Sequence, residues 1–223
     1  MLLFTNANKE EQFYNLEIDN RRMYIPKKYL ATDKAEIIAF MKQFSFATII
    51  TAKDNLPVAT HLPFMVSAKE NQVVLTAHFA KANEQWTAVE NNKVLVIFAE
   101  PHAYISPNHY EEGLNVPTWN YIAIHAYGDG KLITETDKVF EVLEATIDNY
   151  EIEYRQQWDH YPHDYKLKMA KGIVAFEIVV TDLQAKKKLS QNRTETEQQK
   201  IIDHLSKSND TNEQLIAGYM KNN

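Results

Sequence analysis

The strongest constraint on the fold is a succession of apolar segments of strand length that polar turns separate. Between residues 46 and 128 there are six of them, and one helix-like segment, NEQWTAVEN (83–91), interrupts the series. The six are FATIITA (46–52), VATHLPFMV (58–66), VVLTAHF (73–79), KVLVIFA (93–99), AYIS (103–106) and WNYIAIHAYG (119–128). A seventh, GIVAFEIVVTDLQAK (172–186), comes later in the chain. Consecutive strands with few helices between them favour an antiparallel barrel over a parallel sheet.

Helical periodicity flanks the strands on both sides. Asp33 is a suitable N-cap for a helix that starts directly after it. Thr136 is a candidate cap for a longer helix, because the period of apolar residues changes there from two to about 3.6. The apolar face of that helix comprises Val139, Phe140, Leu143 and Ile147.

The end of the chain has a different character from the barrel-like region. Residues 193–223 predict two short amphipathic helices, and Thr194 and Glu197 have the spacing of a capping box. Residues 1–22 are polar and show no clear period, so we expect an N-terminal extension that is either poorly ordered or partly helical. The predicted division is this extension, a barrel domain over residues 23–192 and a helical tail.

The composition excludes several kinds of site. The chain has no cysteine, which removes disulfides, thiolate zinc sites and cysteine nucleophiles. With only five glycines and no dinucleotide-binding or P-loop motif, a glycine-rich phosphate cradle is not expected. Neither an HExxH nor a GxSxG motif occurs. We assign no catalytic residue and expect no metal site.

Net charge and hydropathy limit the kinds of partner that the chain is expected to contact. No apolar run approaches the roughly 20 residues that a membrane helix needs, and the N-terminus does not have the pattern of a signal peptide. We therefore expect a cytoplasmic protein without membrane contact. The net charge of −6 argues against a broad surface for nucleic acid. Contact with DNA would be confined to the basic clusters at Lys27–Lys28 and Lys186–Lys188.

The passage VVLTAHFAKANEQW (73–86) is a candidate anion site. A strand carries His78, the chain turns through Ala80 and Lys81, and a helix begins near Asn83. The start of a helix presents free N–H groups, and a lysine adds a positive charge that suits phosphate. The same pattern also fits a capped helix beside a solvated lysine, and both interpretations stay open.

The segment WNYIAIHAYG (119–128) is a second candidate. Strand alternation places Trp119, Tyr121, Ala123 and His125 on one face and Asn120, Ile122 and Ile124 on the other. Aromatic faces beside imidazole and amide groups would suit a flat conjugated ligand. Aromatic residues on a strand also commonly fill a barrel core, so the pattern alone does not decide between these functions.

Three further features are weaker. His61 lies in an apolar strand, where a histidine is more often a core residue than a catalyst. The run KKKLSQN (186–192) has the composition of a solvated loop. HYPHD (160–164) places two histidines three residues apart in a predicted loop, which is a weak indication of a metal site.

Six motifs, in order, give the chain a specific resemblance. They are MYIPKKY (23–29), ATHLPF (59–64), AHFAKANEQW (77–86), PHAYISPNHY (101–110), VPTWNYIAIHAYG (116–128) and KKLSQN (187–192). Together they resemble the PaiB family, described as FMN-binding negative transcriptional regulators of protease synthesis and sporulation. The resemblance extends from Met23 to about Leu205.

The resemblance implies a fold, a cofactor and a set of site residues. The fold is mainly β, a six-stranded antiparallel FMN-binding split barrel with flanking helices, which forms a homodimer with flavin at the interface. The implied cofactor-binding residues are Ala59, Thr60, His61 and Leu62 along the flavin ring, and His78, Ala80, Lys81 and Asn83 around the phosphate. Trp119 and Asn120 would approach from another strand or from the partner subunit, with Lys188 and Gln191 near the same interface.

The sequence also departs from the wider split-barrel group. Pyridoxamine-phosphate oxidases place two basic residues in the phosphate segment, whereas Lys81 stands here with His78 and neutral neighbours. A helix-turn-helix signature is absent from the sequence. Two alternative functions remain besides a flavin-binding regulator: a flavin-dependent oxidoreductase that acts on an unknown small molecule, and a haem-binding split barrel with a histidine as axial ligand.

Overall fold

The computed structural model of the chain describes residues 23–69, 72–111 and 113–223. The extension that the sequence predicts over residues 1–22 lies outside this described part. The strands are β1 (Phe46–Lys53), β2 (Leu56–Pro63), β3 (Met65–Lys69), β4 (Gln72–Ala80), β5 (Lys93–Phe98), β6 (His102–Ile105), β7 (Thr118–Ile133) and β8 (Ile173–Lys188). The α-helices are α1 (Lys34–Gln43), α2 (Thr136–Tyr150), α3 (Tyr154–His160), α4 (His163–Ala170), α5 (Glu195–Leu205) and α6 (Thr211–Lys221).

All the strands belong to one antiparallel sheet. Its order is β2-β1-β5-β7-β8-β4-β3, and β6 pairs with the first part of β7 outside this path. The strands β2 and β3 follow each other in sequence but lie at opposite ends of the order, so the sheet curls round and stays split between them. The mainly antiparallel split barrel that the resemblance implies is confirmed.

The number of strands differs from the prediction: the described chain has eight, not six. The segment VATHLPFMV does not form one strand, because it breaks at Phe64. Pro63 has no backbone N–H for a ladder, and the Phe64 N–H donates to the carbonyl oxygen of Ser45 at 2.8 Å. The residues on either side of the break therefore become the two edge strands.

The inner face of the barrel holds the main core. Four phenylalanines are almost completely buried, and two of them, Phe79 and Phe176, stack with ring centroids 4.8 Å apart. Alternation of buried and half-buried residues along β1, β4 and β5 follows the period of two in the sequence. The other face of these strands is directed outward.

The long strand β7 does not end at Gly128, where the sequence predicted its end. It continues to Ile133 through a register shift against β8 between Tyr127 and Gly128. A Cβ atom at Gly128 would lie 2.5 Å from the carbonyl oxygen of Val179, so the glycine permits close approach of the two backbones. It marks a bulge rather than a stop.

Of the caps predicted for α1 and α2, the first is confirmed and the second lies one residue earlier than predicted. The Asp33 carboxylate accepts from the N–H groups of Ala35 and Glu36 and caps α1, as predicted. Glu135, not Thr136, is the N-cap residue of α2. That helix buries Val139 and Val142, whereas Phe140, Leu143 and Ile147 are only partly buried.

Two short helices, α3 and α4, were not predicted. They occupy the region of the HYPHD motif, so that His160 ends α3 and His163 begins α4. The His160 Nδ1 atom lies 2.6 Å from the carbonyl oxygen of Gln156, and the His163 ring lies 5.9 Å from that of Phe140. Within the described residues, no group of three or more His, Asp or Glu side chains is arranged to hold a metal ion.

The tail consists of two helices, as predicted. Both reciprocal hydrogen bonds of the capping box between Thr194 and Glu197 are present at the start of α5. Both helices bury residues in the same core cluster as the barrel strands, including Ile201, Ile216 and Met220. None of the described helices combines the length and apolar character needed to cross a membrane.

Candidate functional site

A polar network joins β2 to the turn that follows β4. The Thr60 hydroxyl donates to Oε1 of Gln85 at 2.6 Å and accepts from Nδ2 of Asn83 at 2.9 Å. The Asn83 Oδ1 atom accepts from the backbone N–H of Gln85 at 3.1 Å, which caps a short 3-10 helix over Glu84–Ala88. The predicted site residues Thr60 and Asn83 are therefore in direct contact.

Gln85 anchors this network to the backbones of β1 and β2. Its side chain is buried, and its Nε2 donates to the carbonyl oxygens of Ile49 at 3.3 Å and Val58 at 3.0 Å. The amide thus bridges β1 and β2 while its oxygen accepts the Thr60 proton. Since every polar atom of this side chain has a partner, the network is rigid in the sense required for a preorganised site.

The network leaves two nitrogen donors available beside β2. Asn83 Nδ2 uses one of its two N–H groups on Thr60 and keeps the other. The Lys81 side chain is exposed and makes no hydrogen bond or ion pair with a residue that the structure describes. Its backbone is fixed, because its N–H donates to Gly172 and its carbonyl accepts from Nε1 of Trp86. An amide N–H and an ammonium two residues apart form a suitable donor set for an oxyanion.

The segment ATHL on β2 is divided between the two faces of its strand. Ala59 and His61 are exposed on the outer face, where the His61 ring stacks on that of Phe46 with a centroid distance of 6.4 Å. Thr60 belongs to the polar network and Leu62 packs against the core. The outer face of this edge strand is therefore open to a flat ligand.

His78 and Ala80 lie on β4, in register with Ala175 and Ile173 of β8. His78 is half-buried, and burial lowers the pKa of its imidazole. A neutral imidazole is a poorer partner for phosphate than arginine. Ala80 is exposed at the end of the strand, next to Lys81.

Trp119 and Lys188 form a second group at the other end of β8. The Trp119 side chain is 52% exposed and meets Tyr104 edge to face, with ring centroids 5.9 Å apart. The Lys188 ammonium contacts the Thr118 hydroxyl. Burial is the first cause that lowers the pKa of Lys188, and the charges of Lys186 and Lys28 lower it further.

Asn120 and Gln191 already have protein partners. The Asn120 amide is completely buried and exchanges hydrogen bonds of 3.0 and 3.1 Å with the Ser190 hydroxyl. Gln191 donates to the carbonyl oxygen of Lys187 at 2.7 Å and accepts from the N–H of Leu189 at 2.8 Å. Both side chains stabilise the turn after β8 through these hydrogen bonds, and neither belongs to the exposed surface around Trp119.

The two groups of predicted site residues are separated within one chain. Through the registers of β1, β5 and β7, His61 on β2 lies level with Gln184 on β8. Four strand spacings of about 4.8 Å place these two strands about 19 Å apart around the sheet. Lys188 lies four residues farther along β8.

Sequence reasoning missed three residues that shape these groups. Gln85 was treated only as part of a predicted helix, because its contacts with Ile49 and Val58 depend on tertiary packing. Lys186 was noted only as part of a basic run. Thr118 carries no signal of its own, although its place directly before Trp119 at the start of a strand puts it beside Lys188.

Comparison with known proteins identifies the family. A family described as "Putative FMN-binding domain" matches residues 23–182. The chain belongs to this family. A relative, the protease synthase and sporulation protein PAI 2 of Bacillus subtilis, is 40% identical over 203 residues. The alignment covers 89% of this chain and 97% of the relative, so the predicted membership of the PaiB family is confirmed.

Solved structures agree on the fold. The flavocytochrome Anf3 of Azotobacter vinelandii aligns with a TM-score of 0.59 at 14% identity, over 75% of this chain and 73% of its own. A FAD- and heme-binding protein of Mycobacterium smegmatis aligns with a TM-score of 0.55 at 14% identity, over 72% and 73%. At this identity the likeness concerns the fold alone.

Three histidines of this chain predict that its free energy of unfolding depends on pH. Burial lowers the pKa of His78, His109 and His125, and the charge of His204 lowers that of His109 further. The unfolded chain, with a histidine pKa of about 6.5, then binds more protons than the folded chain just below that pH. We expect the free energy of unfolding to have its full value above about pH 6.5 and to decrease as the pH falls below that value.

Urea unfolding at several pH values between about 7.5 and 5.5, about one unit on either side of the unfolded histidine pKa, tests this pH dependence. His109→Asn should flatten the decrease, whereas His160→Asn, at an exposed position on α3, should leave it unchanged. A curve with the same slope in His109→Asn as in the wild type would contradict the assignment of His109.

Proposed function

We propose that this chain is an FMN-binding, PaiB-like negative regulator of transcription, and that it binds the flavin as a homodimer. The observation that carries the proposal is the pair of available donors, Lys81 and Asn83, beside Thr60 on the edge strand β2. The family to which the chain belongs is described by FMN binding, which supports the choice of ligand.

The residues of the site fit FMN chemically. The Lys81 ammonium and the second N–H of Asn83 bind the phosphate, while the Thr60–Gln85 network fixes the position of the Asn83 amide. The outer face of β2, with Ala59 and His61, supports the ring system. FMN supplies a redox-active ring when bound. The chain itself binds the phosphate, orients the ring and shields one side of it from water.

A homodimer explains why the predicted site residues fall into two groups. Lys81 lies next to Gly172 at the start of β8, and Lys188 ends this 16-residue strand, so the two groups lie at opposite ends of β8 in one chain. A second copy can bring them together. The sheet also presents large apolar side chains on and beside its edge: Phe46 is 66% exposed and Leu56 is 67% exposed. An unpaired edge strand with exposed apolar residues favours association with another chain.

The regulatory part of the proposal rests on the Bacillus relative, whose name refers to protease synthesis and sporulation. The net charge of −6 favours action through a protein partner or a metabolite over a broad DNA surface. Contact with DNA would fall on the clusters around Lys27, Lys28 and Lys186–Lys188. Salt-sensitive, sequence-specific retardation of promoter DNA by the pure protein would overturn the indirect mechanism.

Two alternatives have specific support. Anf3 and the mycobacterial protein are described as a flavocytochrome and as a FAD- and heme-binding protein, and the exposed imidazole of His61 offers an axial ligand for haem. A flavin-dependent oxidoreductase would use the same FMN site with a small molecule beside the ring. Haem absorption in the purified protein would favour the first, and consumption of NAD(P)H or oxygen by FMN-loaded protein would favour the second.

Lys81→Ala tests the phosphate assignment. Because the ammonium contacts only the phosphate, we expect the variant to bind FMN about tenfold more weakly, or about 1.4 kcal/mol, and riboflavin as tightly as the wild type does. Fluorescence titration with both flavins measures the two dissociation constants. Lys42→Ala, in the last turn of α1, is the control and should change neither. An equal loss of affinity for FMN and riboflavin would contradict the assignment.

A further inference from the structure

Three lysines converge at the end of β8 that lies away from the proposed phosphate site. Lys186 and Lys188 alternate with Lys187, so both lie on the outer face of the strand. Lys28 reaches the same place because Leu30, just after the 3-10 turn Lys27–Tyr29, bridges to Lys186. The charges of Lys28 and Lys186 both act on Lys188 and lower its pKa, after burial.

Among the residues that the structure describes, these three charges have no acidic counterpart. Neither Lys28, Lys186 nor Lys188 forms an ion pair with any Asp or Glu in the described residues. Lys187, on the opposite face of the same strand, does form one, with Glu36 at 2.6 Å. The nearest acid on the lysine face of β8 is Asp182, whose carboxylate already accepts from Gln184 at 2.6 Å. Neighbouring positive charges without a carboxylate are expected to attract an anion.

Two tyrosine rings lie against the Lys186 ammonium. The Lys186 Nζ atom lies 5.2 Å from the ring centroid of Tyr121 and 5.7 Å from that of Tyr24, and it donates to the carbonyl oxygen of Tyr24 at 3.0 Å. Tyr121 lies directly opposite Lys188 in the ladder. Trp119, two residues before it on the same face, is half exposed. The Lys186 ammonium is therefore buried against two tyrosine rings, while the indole of Trp119 on the same face of the sheet is exposed to solvent.

The burial of Lys186 indicates a ligand-binding site rather than a solvated surface. The residue is only 8% exposed, and its hydrogen bond to Tyr24 uses one of three donor positions. Burying an ammonium without a carboxylate is costly, and two further lysines nearby increase the cost. A ligand that carries negative charge would relieve this repulsion.

We propose that Lys28, Lys186 and Lys188, with Thr118 and the rings of Trp119 and Tyr121, bind an oxyanion that is attached to a planar ring. The phosphate or carboxylate group lies among the three ammonium groups, and the ring stacks on the exposed indole of Trp119. Two sources supply this chemistry: the phosphate of a flavin that reaches this surface in a dimer, or a separate small aromatic acid. The site stands in a single chain and does not require the FMN site at Lys81.

Titration calorimetry with phenyl phosphate tests the proposal, with intrinsic tryptophan fluorescence as a second readout. We expect saturable binding to the wild type that weakens with added salt. Lys188→Gln should weaken it at least tenfold, and Lys28→Gln, at an exposed position where folding is not at risk, several-fold. Lys187→Gln is the matched control, since its side chain is on the other face, and should bind as the wild type does. Equal affinity in Lys188→Gln and Lys187→Gln, or no saturable binding to the folded wild type, would overturn the proposal.

A second titration, on protein first saturated with FMN, distinguishes the two sources. Competition between FMN and phenyl phosphate supports the oxyanion site and assigns it to the flavin phosphate. Simultaneous binding supports it and assigns it to a separate aromatic acid. Lys81→Ala keeps the two proposals apart: FMN binding about tenfold weaker than in the wild type, with unchanged phenyl phosphate binding, is the expected result. If wild-type protein binds phenyl phosphate but not FMN, the proposed function fails while this inference stands.

Discussion

Replacing Gln85 with leucine is expected to lower the free energy of unfolding by about 3 kcal/mol, because buried polar groups lose their partners. The carbonyl oxygens of Ile49 and Val58 would each lose a donor, and the Thr60 hydroxyl would lose its acceptor. Leucine has about the same size as glutamine, so the change removes hydrogen bonds without opening a large cavity. Urea unfolding at neutral pH measures the difference.

The same substitution should weaken FMN binding by at least tenfold. Thr60 and Asn83 keep their relative positions through Gln85, and a misplaced donor loses most of its hydrogen-bond energy. Gln199→Leu, on the exposed face of α5, is the control and should change stability by less than about 0.5 kcal/mol. A Gln85→Leu protein as stable as Gln199→Leu, or one with wild-type FMN affinity, would show that the network does not organise the site.

Phe46→Asp is expected to convert a dimer into a monomer. The Phe46 side chain is 66% exposed in the single chain, so a charge there costs the monomer little, whereas it would lie in the proposed interface beside β2. Light scattering should give the mass of one 25.9 kDa chain instead of two. FMN affinity should fall with the loss of the dimer, by about a hundredfold if Trp119 and Lys188 of a second copy contribute two contacts to the ligand.

The control for this prediction is Ile152→Asp, because Ile152 is also exposed, at 58%, but lies between α2 and α3 away from the sheet face. It should remain a dimer and bind FMN normally. A wild-type protein that is monomeric while it binds FMN tightly would contradict the shared site. In that case Lys81 and Asn83 would have to bind the flavin without a second chain.

Features of the fold that depend on neighbouring residues could be predicted from the sequence. Asp33 and Thr194 cap their helices through N–H groups two or three residues away, so the signal is local. Strand positions were predictable because β-branched and aromatic residues recur between polar turns. The break at Phe64 and the continuation of β7 past Gly128 were not, since both depend on backbone contacts with distant segments.

The same difference between local and long-range contacts decides which parts of the candidate site could be predicted. The turn through Lys81 and Asn83 was predictable, because a strand followed by a capped helix places both residues together in any fold. The contact of Asn83 with Thr60 spans 23 residues and depends on how β2 packs on the 3-10 helix. Likewise, Lys28 joins Lys186 only through the bridge at Leu30. Periodicity contains no information about such long-range pairs, and the resemblance supplied it only for the residues in its motifs.

The most direct test of the central claim is the visible absorption spectrum of the pure protein before and after FMN is added and the unbound ligand is removed by desalting. The proposed site predicts flavin absorption that remains after desalting, with one FMN for each chain, and its loss from Gln85→Leu protein that is still folded. A colourless wild-type protein after desalting would contradict FMN binding at Lys81 and Asn83, although the split-barrel fold and the family would be unaffected.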